Sequence, residues 1–198
     1  MDALARQDTA QGTKKFTYSD YLTWEDTNRW ELIDGVPRMM AAPVISHQSI
    51  LEGLRLQFGN FFSDKRCQAL LVQCDVRLNH ETCDNTVVHP NLLVVCDPEK
   101  LKDGKSVKGA PDLVVEILPP SSSKYVMSTK FELYKQAGVC EYWIVEPNYK
   151  MISVYIFKEG KLIDMNPYGE TEKIPVHVLE GCEIDLSAVF EEEGDIPA

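Results

Sequence analysis

Two short apolar runs on either side of one helical segment constrain this chain more than anything else in it. "DLVVEIL" (Asp112–Leu118) and "EYWIVE" (Glu141–Glu146) are rich in β-branched and aromatic residues, so both read as strands of a buried sheet. Between them, Tyr125–Ala137 carries apolar residues at helical spacing and ends at Gly138, the residue suited to a left-handed helix stop. Strand, helix and strand at this separation predict a right-handed βαβ crossover, and with it a parallel strand pair.

The rest of the chain supplies further strands and two more helices. "YSDYLTWEDTN" (Tyr18–Asn28) reads as a short helix and "SHQSILEGLRLQFGNFFSD" as a long one, with Ser46 placed to cap it. "RWELIDGVPRMM" reads as a hairpin turning at Asp34-Gly35. Ala69–Leu78, Thr86–Val95, Met151–Gly160, a short run near Leu162 and "CEIDLSAVF" complete the strand-like segments. The fold class is therefore α/β, or α+β, with a mixed sheet flanked by helices. One domain is predicted over residues 16–190, between a flexible N-terminal tail at 1–15 and an acidic tail at 191–198.

Composition narrows the setting. Apolar residues make up 44% of the chain, enough for a proper core. No apolar run approaches the roughly 18 residues of a membrane span, and the N-terminus lacks a signal-peptide core, so a cytoplasmic protein is expected. The six cysteines show no zinc spacing and are expected to be reduced thiols. A net charge of −11 argues against coating nucleic acid through the overall field, yet leaves a local basic groove open.

Four polar side chains sit where apolar ones are expected. Placed on a helical wheel, Lys130 falls inside the apolar arc formed by Val126, Met127, Phe131, Leu133, Tyr134 and Ala137. An inward ammonium needs an acceptor; otherwise the lysine snorkels at the edge of the face. Glu116 lies among Val114, Val115, Ile117 and Leu118, and a carboxylate in such a run is rarely unpaired. The pair reads either as a structural salt bridge or as part of a site. In "TVVHPNLLVVC", His89, Pro90 and Asn91 break a core strand, as though it were interrupted for a site. Glu31, between Trp30 and Leu32, is either a fourth member or an exposed strand residue. Asp112 lies roughly 13 Å along the strand from Glu116, and Asp84 about 23 Å from Asn91, so neither acid can stand in. His47 and His89 have poor spacing for a metal, although His89 shares strand parity with Asn91. If these groups form a site, they converge in one cleft open to solvent.

"RWELIDG", "VVHPNLLVV", "GAPDLVVEIL", "STKFELYKQAGVCEYWIVEP" and "EIDLSAVF", in this order, resemble the Uma-type restriction endonuclease family of the PD-(D/E)XK nuclease superfamily. The resemblance covers roughly residues 18–190. It implies a restriction-endonuclease-like core and metal-assisted hydrolysis of DNA phosphodiesters, in a chain that pairs as a homodimer. Carried over residue by residue, it implies a catalytic set of Glu31, Asn91, Glu116 and Lys130. Glu31, Asn91 and Glu116 would hold Mg²⁺, with Mn²⁺ as a substitute. The usual lysine position two after the second acid is Leu118 here, and Lys130 takes its place. Asn91 stands where the family has Asp, which implies weakened metal binding and impaired cleavage. The alternative is a catalytically inactive nuclease-fold domain that binds nucleic acid or a protein partner.

Overall fold

The computed structural model describes residues 14–25, 28–40, 45–62, 68–71, 74–118 and 125–190. Most of the two predicted tails, together with the loop 119–124, lies outside the described residues. A one-turn helix α1 (Tyr18–Tyr21) opens the chain, capped by Thr17 and Asp20 in a reciprocal box. It is shorter than the sequence predicts. The hairpin follows as β1 (Trp30–Ile33) and β2 (Val36–Met39). Its turn needs two positive φ angles, and Asp34 (49°) and Gly35 (80°) provide them. A side chain at Gly35 would also stand 2.8 Å from Lys15 Cβ. The long helix α2 (Ile45–Phe62) comes next.

Two predicted strands are each divided in two. Ala69–Leu78 becomes β3 (Gln68–Leu71) and β4 (Asp75–Arg77). Thr86–Val95 becomes β5 (Val87–Val88) and β6 (Leu92–Val95), broken at His89-Pro90-Asn91. The halves join different sheets, so the polar break is a crossing point between sheets. After β7 (Ser106–Lys108) comes the predicted crossover: β8 (Leu113–Ile117), a π-helical turn Val126–Lys130, α3 (Phe131–Ala137) and β9 (Glu141–Glu146). Gly138 ends α3 at φ 94°, and β8 and β9 pair in parallel. The chain closes with β10 (Met151–Lys158), β11 (Lys161–Gly169), β12 (Lys173–Pro175) and β13 (Glu183–Asp185).

The central sheet runs β11-β10-β9-β8-β6-β3 and is mixed; a second sheet runs β2-β1-β5-β4-β7. Strand alternation sorts the core into two layers. Leu92, Val94, Val115, Ile117, Trp143 and Val145 face α2 and the β12–β13 hairpin. Leu93, Val95, Val114, Tyr142 and Ile144 face the second sheet and Tyr134 of α3. Glu116 shares parity with Val114 and therefore points into this second layer. Among the described residues no helix is long and apolar enough to cross a membrane.

The cysteine expectation needs one correction. Cys96, just after β6, is held in a disulfide, whereas Cys74, Cys83, Cys140 and Cys182 are thiols. A bridge set by tertiary pairing leaves no local spacing signature.

The closing segment is pinned by a buried acid. Glu141 accepts the Trp143 indole N–H at 2.7 Å and the Val178 backbone N–H at 3.0 Å. Burial pushes its carboxyl pKa up, and these hydrogen bonds only partly pull it back. Glu141→Ala orphans both donors, so urea denaturation should show a loss of about 2–4 kcal/mol. A loss under about 1 kcal/mol would show that Glu141 does not hold this segment.

Candidate functional site

Glu31 leaves β1 on the inner face of the second sheet, and Glu116 leaves β8 on the facing side of the central sheet. Lys130 enters between them from the π-helical turn. Its Nζ lies 2.7 Å from Glu31 Oε1 and 2.8 Å from Glu116 Oε1. The inward lysine has thus found two acceptors, one on each sheet. The cluster is almost closed to solvent: Glu31 is 3% exposed, Glu116 4% and Lys130 4%. Among the described residues, these side chains do not open onto solvent as expected. Two nearby clefts, of about 460 and 380 Å³, share Asp34, Leu133 and Gln136, and neither is lined by Glu31, Asn91, Glu116 or Lys130.

Neighbouring groups complete the hydrogen bonding. The Tyr134 hydroxyl donates to Glu116 Oε1 at 2.7 Å. The His89 backbone N–H donates to Glu31 Oε1 at 3.0 Å, and the Tyr125 hydroxyl reaches Glu31 Oε2 at 3.4 Å. Behind them, His89 Nε2 lies 2.8 Å from Asp75 Oδ1, and the Tyr18 hydroxyl donates to Asp75 Oδ2 at 2.8 Å. His89 therefore touches the cluster, through its backbone N–H and not by the side-chain parity with Asn91. Leu118 is packed in the core.

The charges follow from this packing. Burial alone would drive the Lys130 ammonium pKa down, but Glu116 and Glu31 outweigh it and raise it above its ordinary range. The Glu116 carboxyl is pushed up, first by burial; Lys130 opposes that shift and the Glu31 carboxylate adds to it. Burial tends to raise Asp75 too, yet hydrogen bonds from His89 and Tyr18 bring it below its usual value. The Tyr125 and Tyr134 hydroxyls are raised, chiefly by burial, so both stay protonated and act as donors.

Asn91 stands beside this cluster and not within its ion pairs. Its Oδ1 accepts the Ile117 backbone N–H at 2.8 Å, and its own N–H donates to the Val115 carbonyl at 3.1 Å. Burial holds the imidazole of His47 on α2 below the ordinary 6.5, with Asn91 and the Ile117 backbone opposing the shift, and its Nε2 has no hydrogen-bond partner among the described residues. Sequence reasoning named Glu31, Asn91, Glu116 and Lys130 and missed Tyr125, Tyr134, Asp75 and the approach of His47. Tyr134 could have been found, since it lies four residues after Lys130 on one helix face. Asp75, an acid within an apolar run, carries the signal that drew attention to Glu116.

These donors do not fit a tightly held divalent ion. One oxygen of each carboxylate is engaged by an ammonium, which sits where a cation between them would sit. Asn91 offers an uncharged oxygen that already accepts an N–H. Among the described residues no group of three or more His, Cys, Asp or Glu side chains is arranged to hold a metal.

Comparison with known proteins adds three findings. The model of the Uma2 family, described as "Putative restriction endonuclease", matches residues 18–187. The uncharacterized protein slr1290 of Synechocystis sp. (strain ATCC 27184 / PCC 6803 / Kazusa) is 30% identical over 122 residues, covering 61% of this chain and 62% of that protein. The match thus spans less than two thirds of the relative's length. A crystal structure of a "putative nuclease belonging to DUF820" from Anabaena variabilis ATCC 29413 superposes with a TM-score of 0.70 at 16% identity, covering 88% of this chain and 97% of that one. At that identity the likeness shows a shared fold.

Removing the ammonium tests the cluster. Lys130→Met leaves two buried carboxylates facing each other and should cost about 3–5 kcal/mol. Glu116, already raised above 4.5, rises further, so its protonated form supports the fold at low pH and that support is lost as pH climbs. Urea titrations should therefore show a larger deficit near pH 8 than near pH 5. Glu116→Gln in the same background should recover part of the deficit. A deficit that does not change with pH would mean the carboxylates are not interacting with Lys130.

Proposed function

The chain belongs to the Uma2 restriction endonuclease family, and from that membership we propose that it acts on DNA, with phosphodiester cleavage impaired by Asn91. The observation that carries this reading is the convergence of Glu31, Glu116 and Lys130 from two sheets and the crossover helix, with an amide in the neighbouring acid position. In the assignment carried over from the family, Glu31, Asn91 and Glu116 hold Mg²⁺ or Mn²⁺, and Lys130 steadies negative charge developing on the phosphate. Here an ammonium already stands between the two carboxyl groups, which leaves a poor setting for capturing a dication. What these residues supply is a fixed ammonium at the end of β8, oriented by Glu31, Glu116 and Tyr134.

Engagement of DNA without cleavage is the second reading. The closed Glu31–Lys130–Glu116 contacts favour it, because they leave the two inner carboxylate oxygens committed. Pairing of two copies belongs to the same proposal, supported by exposed Leu162, Ile163 and Met165 on the edge strand β11.

The decisive variant is Asn91→Asp. It preserves shape and the acceptor for the Ile117 N–H while adding a negative charge. Calorimetric titration should show Mg²⁺ and Mn²⁺ binding at least about tenfold tighter than wild type, and plasmid nicking should rise with it. Wild type that cuts as well as Asn91→Asp would show that the amide is no impairment. Plasmid left intact by the variant despite tighter metal binding would select the reading without cleavage.

A further inference from the structure

We propose that Arg38 is the residue through which this site takes hold of a DNA phosphate, and that the β1–β2 hairpin supplies the positive field the chain as a whole lacks. The proposal rests on the DNA-acting reading above. Arg38 is paired directly with Glu31 across the hairpin, so the two side chains share a face. Glu31 turns inward to Lys130, whereas Arg38 is exposed. Its guanidinium carbon lies 4.9 Å from the centre of the Tyr125 ring, and the Tyr125 hydroxyl reaches back to Glu31. Arg38, half-buried Tyr125, Glu31 and Lys130 thus form a continuous line from solvent to the interior cluster.

Charge makes this position matter. The chain carries −11 overall, and the inner cluster sets two carboxyl groups against one ammonium. A polyanion approaching it meets repulsion unless a cation stands at the entrance. Lys130 cannot serve there, since its ammonium is buried and committed to two carboxylates. Arg38 can: a guanidinium stacked on a ring is held in plane, with its edge N–H donors directed outward in the fork that suits phosphate. Arg29, also exposed, stands at the open end of the same hairpin, where its carbonyl accepts the Met40 N–H at 2.8 Å. The acidic residue of this hairpin outside the cluster, Asp34, is at the opposite, turn end and lines a different cleft.

The test is fluorescence anisotropy of a labelled DNA duplex of about 20 base pairs, titrated with the full chain across a salt series. Losing one phosphate contact reduces the slope of log affinity against log salt by about 0.9. Arg38→Gln should show that reduction and bind roughly five- to tenfold more weakly at low salt. Arg38→Lys should keep the wild-type slope while recovering only part of the affinity, since it retains the charge without the fork. Arg55→Gln, on α2 against the other face of the central sheet, should match wild type. Arg38→Gln with wild-type affinity and slope would overturn this inference and leave the DNA reading standing. An equal loss in Arg55→Gln would also overturn it, by showing a diffuse field. Wild type that fails to bind DNA would overturn both.

Discussion

One ammonium shared by two glutamates from different sheets is the interaction around which this molecule is arranged. Glu31 belongs to the smaller sheet and Glu116 to the central one. With Lys130 absent, apposing those sheets would press two buried carboxylates together, and each would carry the cost of lost hydration. With Lys130 present, the same apposition is permitted. The crossover helix delivers the lysine, and its π-helical turn ends at that residue. Tyr134, one turn further along, binds the Glu116 oxygen that Lys130 also contacts. The chemistry and the packing of this region are thus one set of contacts.

The sequence showed the components of this arrangement better than their closure. The crossover, the Asp34-Gly35 turn and the Gly138 stop were readable because strand runs, positive-φ residues and helix ends each have a local chemical signature. Lys130 and Glu116 were readable because a charge inside an apolar pattern is anomalous wherever it falls. The division of the two long strand runs was not, since an apolar run records burial but not which sheet buries it. Asp75 illustrates the same limit. Its partners Tyr18 and His89 lie 57 and 14 residues away, and only the folded chain shows that they meet. The closed state of the cluster was equally hidden, because solvent access depends on every element packed above it.

Asn91 has a structural duty that explains why the chain tolerates it. Its Oδ1 accepts the Ile117 N–H just where the chain leaves the central sheet, and its backbone N–H donates to the Val115 carbonyl. The amide thereby extends the ladder by one rung beside β6. A carboxylate could accept the same N–H, so the fold does not demand the amide. What differs is charge: the amide leaves the neighbourhood with fewer negative groups beside Glu116, a residue whose ionisation burial already opposes.

The break between β5 and β6 has a mechanical meaning. Val88 ends in one sheet and Leu92 begins in the other, with only His89, Pro90 and Asn91 between them. Three residues reach about 10 Å when drawn taut, so here the two sheets are tethered like leaves on a short spine. Widening of the gap between them loads this spine, and proline stiffens its middle. Such widening would pull at the His89 N–H bond to Glu31 as the leaves part. Parting the sheets to reach the buried charges therefore strains this three-residue crossing along with the other links between them.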